Sequence, residues 1–276
     1  MSATHPSRRL KELDLAARKG LGQHFLTDRG ALGKIVQAAR LSPDDTVVEV
    51  GPGLGVLTAE LVSRAGQVIA VELDAALARS LRMELAEAQN LSIVQGDILS
   101  LPPPSLLSHV TGGYKVVANL PYYITSAVVR HFLESVRRPE LMVVMVQREV
   151  ARVMTAAPGE LSLLGLSVQI FGTPHLVSRV PAGSFYPPPK VESAVVRLDV
   201  FPAPVIPEAE LVGFFGMARA AFSAARKQIQ NSLVQGLGRE KDEIRRRLDA
   251  AGIDARRRAE TLEISEWVRL WEVFKS

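Results

Sequence analysis

A chain of 276 residues with 47% hydrophobic side chains is long enough for one large domain or a domain and a half, with ample apolar material for a core. It has no cysteine, which excludes disulfides, thiolate nucleophiles and thiolate metal sites, and no stretch approaches the ~20 apolar residues of a membrane span. The net charge of +4 lies at the ends: residues 1–40 carry +5, residues 41–204 carry −3 and residues 205–276 carry +2, as expected for a near-neutral core flanked by segments suited to a polyanion.

The first nine residues are charged with no apolar run behind them, so no secretory signal is read and a cytoplasmic location is expected. Residues 1–19 read as a basic, flexible N-terminal segment. Arg18-Lys-Gly-Leu-Gly-Gln-His24-Phe-Leu26 pairs cations with glycines ahead of a hydrophobic pair, the pattern of a bent, exposed stretch. Thr27 or Asp28 can cap the following helix, whose buried side carries Leu32, Ile35, Val36 and Ala39.

Thr46-Val-Val-Glu-Val50 predicts a strand running into Gly51-Pro-Gly53-Leu-Gly55 and a helix carrying Leu54, Leu57 and Leu61. Glycines there let backbone approach a ligand, and the helix N-terminus faces it. Gln67–Glu72 is a second strand, ending in a carboxylate 21 residues after Gly51, where it can accept both hydroxyls of a ribose. Leu91–Asp97 is a third, again ending in a carboxylate. Gly51, Glu72 and Asp97 thus share one rim of a parallel sheet. That half-site suits either NAD or S-adenosylmethionine.

Pro102-Pro-Pro104 reads as the start of a linker to a fourth strand, which ends at Asn119. The loop Asn119-Leu120-Pro121-Tyr122 lies at the carboxyl end of that strand, where open α/β sheets place ligands. Pro121 lacks an N–H, so the turn offers carbonyl acceptors, and Asn119 adds an amide oxygen. Tyr122 adds a ring on which a base can stack. Two acceptors beside a stacking ring form a clamp for an exocyclic amine, which becomes nucleophilic when both its hydrogens are accepted. A fifth strand, Leu141–Val146, is apolar on both faces.

A helix over 161–170 and a strand over 175–180 follow. Ser184-Phe185-Tyr-Pro-Pro-Pro-Lys190 is a stiff segment in which Phe185 offers a second stacking face and Lys190 a phosphate contact, ahead of a last strand, Ser193–Val200. Pro202, Pro204 and Pro207 mark a domain boundary, giving 1–203 and a helical 204–276. The helices carry apolar faces on Phe214/Phe215/Ala218/Ala221/Phe222, Ile244/Leu248 and Val268/Trp271/Phe274. The arginine triplets at 245–247 and 256–258 are candidate RNA contacts. No His/Asp/Glu cluster has ligand spacing, so no metal is implied.

With these motifs in view, Gly22-Gln-His-Phe-Leu26, Glu49-Val-Gly-Pro-Gly-Leu-Gly55, Glu72-Leu-Asp74, Gly96-Asp97, Asn119-Leu-Pro-Tyr122, Phe185-Tyr-Pro-Pro-Pro-Lys-Val191 and Glu192-Ser-Ala-Val-Val-Arg-Leu198, the chain resembles the ribosomal RNA adenine N6-dimethyltransferases over residues 18 to 275, most closely the bacterial branch acting on 16S rRNA. The resemblance implies a Rossmann-like class I methyltransferase with a seven-stranded, mostly parallel sheet, its last strand antiparallel, and a small all-helical C-terminal domain. It implies S-adenosylmethionine held by His24, Leu26, Gly51, Glu72, Asp97 and Asn119, with Glu72 on the ribose and Asp97 on the adenine amine. It implies a target adenine flipped between Tyr122 and Phe185, with Asn119, Leu120 and Pro121 around its amine. The expected partner is 16S rRNA in the assembling small subunit, with the enzyme a monomer lacking an obligate protein partner.

Position 24 is His where the 16S branch often has Asn, and Ala225 and Gln230 stand where that family's helix carries cations, leaving Arg226 and Lys227 for RNA. Alternatives are a 23S-directed resistance methyltransferase, a DNA or protein-glutamine methyltransferase, an NAD oxidoreductase, and a non-catalytic RNA-binding assembly or transcription factor on the same fold. The intact Asn119–Tyr122 loop speaks against the last.

Overall fold

The computed structural model describes residues 5–15, 17–18, 22–224 and 226–276. Lys19, Gly20 and Ala225, which the sequence reading singled out, lie outside the described residues. The chain packs as two units, Met1–Ala151 with Pro174–Val200, and Arg152–Thr173 with Phe201–Ser276. Among the described residues no helix is long and apolar enough to cross a membrane.

The first unit starts with a short helix, α1 (Pro6–Glu12), so the segment read as flexible contains regular structure. A two-residue strand, β1 (Phe25–Leu26), precedes α2 (Arg29–Ala39). Asp28 caps α2: its Oδ1 accepts from the N–H groups of Gly30 at 2.8 Å and Ala31 at 3.1 Å. Then β2 (Thr46–Val50), α3 (Val56–Val62), β3 (Gln67–Glu72), α4 (Ala75–Glu84) and β4 (Leu91–Gln95) alternate. The proline run expected as a linker instead starts a helical turn, α5 (Pro103–Leu106), because proline at the first helical positions forfeits only N–H groups that have no partner there. β5 (Lys115–Asn119), α6 (Thr125–Leu133), β6 (Leu141–Gln147) and α7 (Arg148–Met154) follow.

After α8 (Leu163–Gln169) come β7 (Gly172–Val180), β8 (Phe185–Tyr186) and β9 (Ser193–Val200). The seven-stranded sheet has the order β4-β3-β2-β5-β6-β9-β7, and β1 pairs with β8. β2 through β6 are parallel where they pair, and β9 runs antiparallel to β6. The order reverses between β2 and β5, which opens a crevice at their carboxyl ends. Those ends carry Gly51 and Asn119. The apolar β6 is buried along its length except at Gln147, as the absence of alternation predicts.

The second unit is helical: α9 (Leu211–Phe222), α10 (Ile229–Leu237), α11 (Lys241–Ala250) and α12 (Ile264–Lys275), after α8. Trp267, Leu270, Trp271 and Phe274 form the buried face of α12, so Trp267 takes the place expected for Val268. The expected boundary after residue 203 lies close to the division at Val200, and Arg152–Thr173 joins the helices as well. That excursion is tied in by backbone: the N–H groups of Gly159 and Leu161 donate to the Glu260 carbonyl at 2.8 and 3.3 Å. Gln230 is 7% exposed and donates to the Lys241 carbonyl at 3.2 Å, which makes it an internal brace.

Candidate active site

The crevice holds a cavity of about 170 Å³ lined by His24, Leu26, Gly51, Glu72, Asp97, Asn119, Leu120, Pro121 and Tyr122, nine of the ten residues singled out from sequence. The tenth, Phe185, is not in its lining. β8 aligns Phe185 with Leu26 of β1, and its ring is 4% exposed within the core that includes Leu26, Ile35 and Val195. A ring packed in the core cannot offer a face to a ligand in this conformation. The ring that does lie over Tyr122 is the His24 imidazole, with centroids 5.5 Å apart and planes 27° from parallel. The His24 Nδ1–H donates to the Pro187 carbonyl at 2.7 Å, so the loop after β8 orients the imidazole. The pairing is not legible in the sequence because His24 and Tyr122 lie far apart in the chain and meet in the folded crevice, where Asn119 also bonds the His24 carbonyl.

One side of the cavity is built from the glycine turn and the ends of β3 and β4. Gly51, Gly53 and Gly55 all have positive φ, at 66°, 58° and 75°. At Gly53 a Cβ would also meet the Phe25 ring at 3.1 Å, so a side chain is excluded by both conformation and space. That conformation turns the Gly53 N–H onto the Glu72 Oε2 at 3.0 Å, while the Asp74 N–H donates to Oε1 at 2.9 Å. Burial pushes the Glu72 carboxyl above its ordinary range, and these two backbone donors oppose the shift. Asp97 accepts from the Leu99 N–H at 3.0 Å and is exposed at the cavity mouth.

Glu49 was read only as part of a motif, and the structure gives it a site of its own. It lines the cavity, is 1% exposed, and its Oε2 has no hydrogen-bond partner among the described residues. Burial, with a smaller contribution from the nearby Glu72 charge, pushes its carboxyl up to about 8. A carboxylate inside an apolar strand, Thr46-Val-Val-Glu-Val50, was the signal available in the sequence. Two buried carboxyl groups lining one cavity suit a ligand that carries both hydroxyls and positive charge.

The other side is the β5 end. The Asn119 Nδ2 donates to the His24 carbonyl at 3.3 Å, which leaves Oδ1 as the amide's open acceptor. The Leu120 side chain is 1% exposed and its N–H donates to the Met145 carbonyl at 3.1 Å, so this residue is anchored on the core. The Pro121 carbonyl is already taken by the Ile124 N–H and the Thr125 hydroxyl, both at 3.2 Å. The turn therefore offers the Leu120 carbonyl, with Asn119 Oδ1, as acceptors. The Tyr122 hydroxyl shares a hydrogen bond with Ser193 Oγ at 2.5 Å, and burial raises its pKa above the ordinary phenol value, which disfavours a role as base.

A doubly wound sheet of this order, with a glycine turn and a buried carboxylate on one side of the crevice and the Asn119–Tyr122 loop on the other, is that of a Rossmann-like class I methyltransferase. The fold matches the crystal structure of the 23S rRNA methyltransferase ErmE with a TM-score of 0.74 at 33% identity, covering 91% of this chain and 100% of that one. It also matches a dimethyladenosine transferase from Plasmodium falciparum, with a TM-score of 0.75 at 24% identity, covering 90% and 96%.

The model of the family "Ribosomal RNA adenine dimethylase" matches residues 15–275, and the chain belongs to that family of S-adenosylmethionine-dependent enzymes. Ribosomal RNA small subunit methyltransferase A of Dehalococcoides mccartyi (strain 195) is 54% identical over 260 residues, covering 94% of this chain and 89% of that protein. The protein of the same name from Pelotomaculum thermopropionicum is 44% identical over 271 residues, covering 94% and 92%.

Proposed function

We propose that this enzyme uses S-adenosylmethionine to dimethylate the N6 amines of two adjacent adenines in the 3′-terminal hairpin of 16S rRNA during small-subunit assembly in the cytoplasm. The open pair of acceptors at the end of β5, Asn119 Oδ1 and the Leu120 carbonyl, carries this reading. The small-subunit methyltransferases at 44–54% identity support the substrate.

The cavity fits the cofactor. Glu72, held by two backbone N–H groups, would accept the ribose hydroxyls; Asp97 at the mouth would accept from the adenine amine; the glycine turn admits the nucleoside to van der Waals contact. The orphaned Glu49 oxygen matches a ligand bearing a sulfonium and an ammonium. When bound, S-adenosylmethionine supplies an electrophilic methyl group. The chain's own residues then act on the substrate. Asn119 and Leu120 accept the two amine hydrogens and free its lone pair. Tyr122, with its hydroxyl fixed on Ser193 and one face covered by His24, holds the flipped base by stacking, worth roughly 1–3 kcal/mol. Catalysis rests on orientation and preorganised acceptors, without a strong base.

The test is transfer of labelled methyl groups from S-adenosylmethionine to purified undermethylated small subunits and to large-subunit RNA. Two dimethylated adenines in the small-subunit RNA are expected. Preferential labelling of 23S rRNA would replace this reading with that of a resistance-type enzyme.

A further inference from the structure

The basic N-terminal segment reads from sequence as an RNA contact, yet its described residues converge on the cofactor half of the crevice. On α1, Leu10 is 4% exposed and packs with Phe25, Leu54 and Leu77. All three of these line the cavity. Phe25 in turn lies against Gly53, whose N–H holds Glu72 Oε2. A second line runs through charge. Arg18 Nη1 lies 3.2 Å from Asp74 Oδ2, on a carboxylate 5% exposed, and the Asp74 N–H holds Glu72 Oε1. One apolar and one ionic route from the segment thus end on the two oxygens of the same carboxylate. Arg9 paired with Glu84 of α4, and the His5 ring edge-on to Tyr186 at 5.2 Å, fasten the rest.

We propose that the N-terminal segment buttresses one wall of the cofactor site from behind, so that Leu10 and Arg18 position Glu72 for the nucleoside and cofactor binding and docking of the segment stabilise each other. The inference rests on the assignment of S-adenosylmethionine to this cavity. Burial of Leu10 keeps water from the outer side of Phe25, Leu54 and Leu77. Arg18 neutralises Asp74, whose negative charge adds to the cost of ionising Glu72. Both effects favour an ionised, fixed Glu72. By linkage, whatever the docked segment adds to cofactor affinity, the cofactor returns to docking. Leu10 and Arg18 are positioning residues, since neither lines the cavity.

Calorimetric titration of the full chain with S-adenosylhomocysteine tests this, beside tryptic cleavage at Arg8–Arg18 with and without that ligand. Leu10→Ala and Arg18→Ala should each weaken binding about tenfold, within the usual span of such couplings. Arg8→Ala, on the outer face of α1 and paired with the exposed Glu12, should bind as the parent does. The ligand should slow cleavage of the segment in the parent. Parent-like affinity in both Leu10→Ala and Arg18→Ala would overturn the inference, as would cleavage indifferent to ligand. Lower thermal stability with unchanged affinity would mark Leu10 as packing alone and also count against it. If Leu10→Ala fails to fold, Arg18→Ala and the parent's cleavage pattern still decide. A parent chain that does not bind S-adenosylhomocysteine overturns both this inference and the cofactor assignment beneath it.

Discussion

The two sides of the crevice hold their polar groups in opposite ways. On the β2–β3 side, both oxygens of Glu72 are engaged by backbone N–H groups, and three positive-φ glycines set the turn that supplies one of them. On the β5 side, Asn119 spends its N–H2 on the His24 carbonyl and keeps its oxygen open, while Leu120 is anchored by its side chain and N–H. A site that must bind tightly is built from groups already oriented by the backbone. A site that must act on a substrate leaves its acceptors unsatisfied until the substrate arrives, and fixes everything around them instead. Substitutions on the first side should therefore cost affinity, and on the second side rate.

The largest separation is expected at Asn119. Asn119→Ala should reduce single-turnover methyl transfer by roughly 10²–10³, the scale of losing one preorganised polar group, with little change in S-adenosylhomocysteine affinity. Loss of affinity comparable to the loss of rate would erase the distinction between the two sides. Glu72→Gln should show the reverse. It replaces a doubly anchored carboxylate by an amide that offers the ribose one acceptor, so cofactor affinity should fall about 10- to 100-fold, in line with hydrogen bonds to charged groups at ~1.5–3 kcal/mol. Equilibrium binding of S-adenosylhomocysteine measures it; rates at saturating cofactor should recover.

Glu49 sharpens the comparison through pH. Its carboxyl is raised to about 8 in the folded protein, against an ordinary value of 4.5, so between these values the folded state holds a proton that the unfolded chain has released. Its stabilising contribution is present below about pH 4.5 and is lost as pH rises toward 8. Glu49→Gln does not titrate, so its Tm relative to the parent should climb by a few degrees between pH 6 and 9 in the absence of cofactor. A difference independent of pH would mean that Glu49 is solvated and ionised. The smallest effect is expected at Tyr122. Tyr122→Phe removes one hydroxyl hydrogen bond to Ser193, worth about 1 kcal/mol, and keeps the ring. Tyr122→Ala removes the stacking face. A Phe variant as slow as the Ala variant in methyl transfer would replace stacking by a role for the phenol.

Much of this site was legible because parallel strands carry their own punctuation. A run of Val and Ile that ends in Gly51, Glu72 or Asn119 places that residue on one rim, and alternation with helices dictates the direction. Proline grammar was less reliable. The run at 102–104 reads as a linker, but proline is tolerated in the first turn of a helix, and α5 begins there. On α12 the expected Trp271 and Phe274 are buried, but Trp267 takes the place of Val268, because both are hydrophobic and only packing chooses between them.

Phe185 shows the limit of motif reading. Its place beside prolines and Lys190 suggests a ring facing a ligand, but pairing with β1 turns it into the core, and His24 takes the position over Tyr122. The sequence by itself determined the sheet class, the glycine turn and the places of the rim carboxylates and of the Asn119–Tyr122 loop, since each follows from local periodicity and from what single residue types can do. Tertiary structure alone decided which ring meets Tyr122, that Glu49 is buried with its Oε2 unpartnered among the described residues, and that the N-terminal segment packs against the crevice wall. Those are contacts between residues far apart in the chain, and their energies depend on burial and on neighbours that local sequence does not specify.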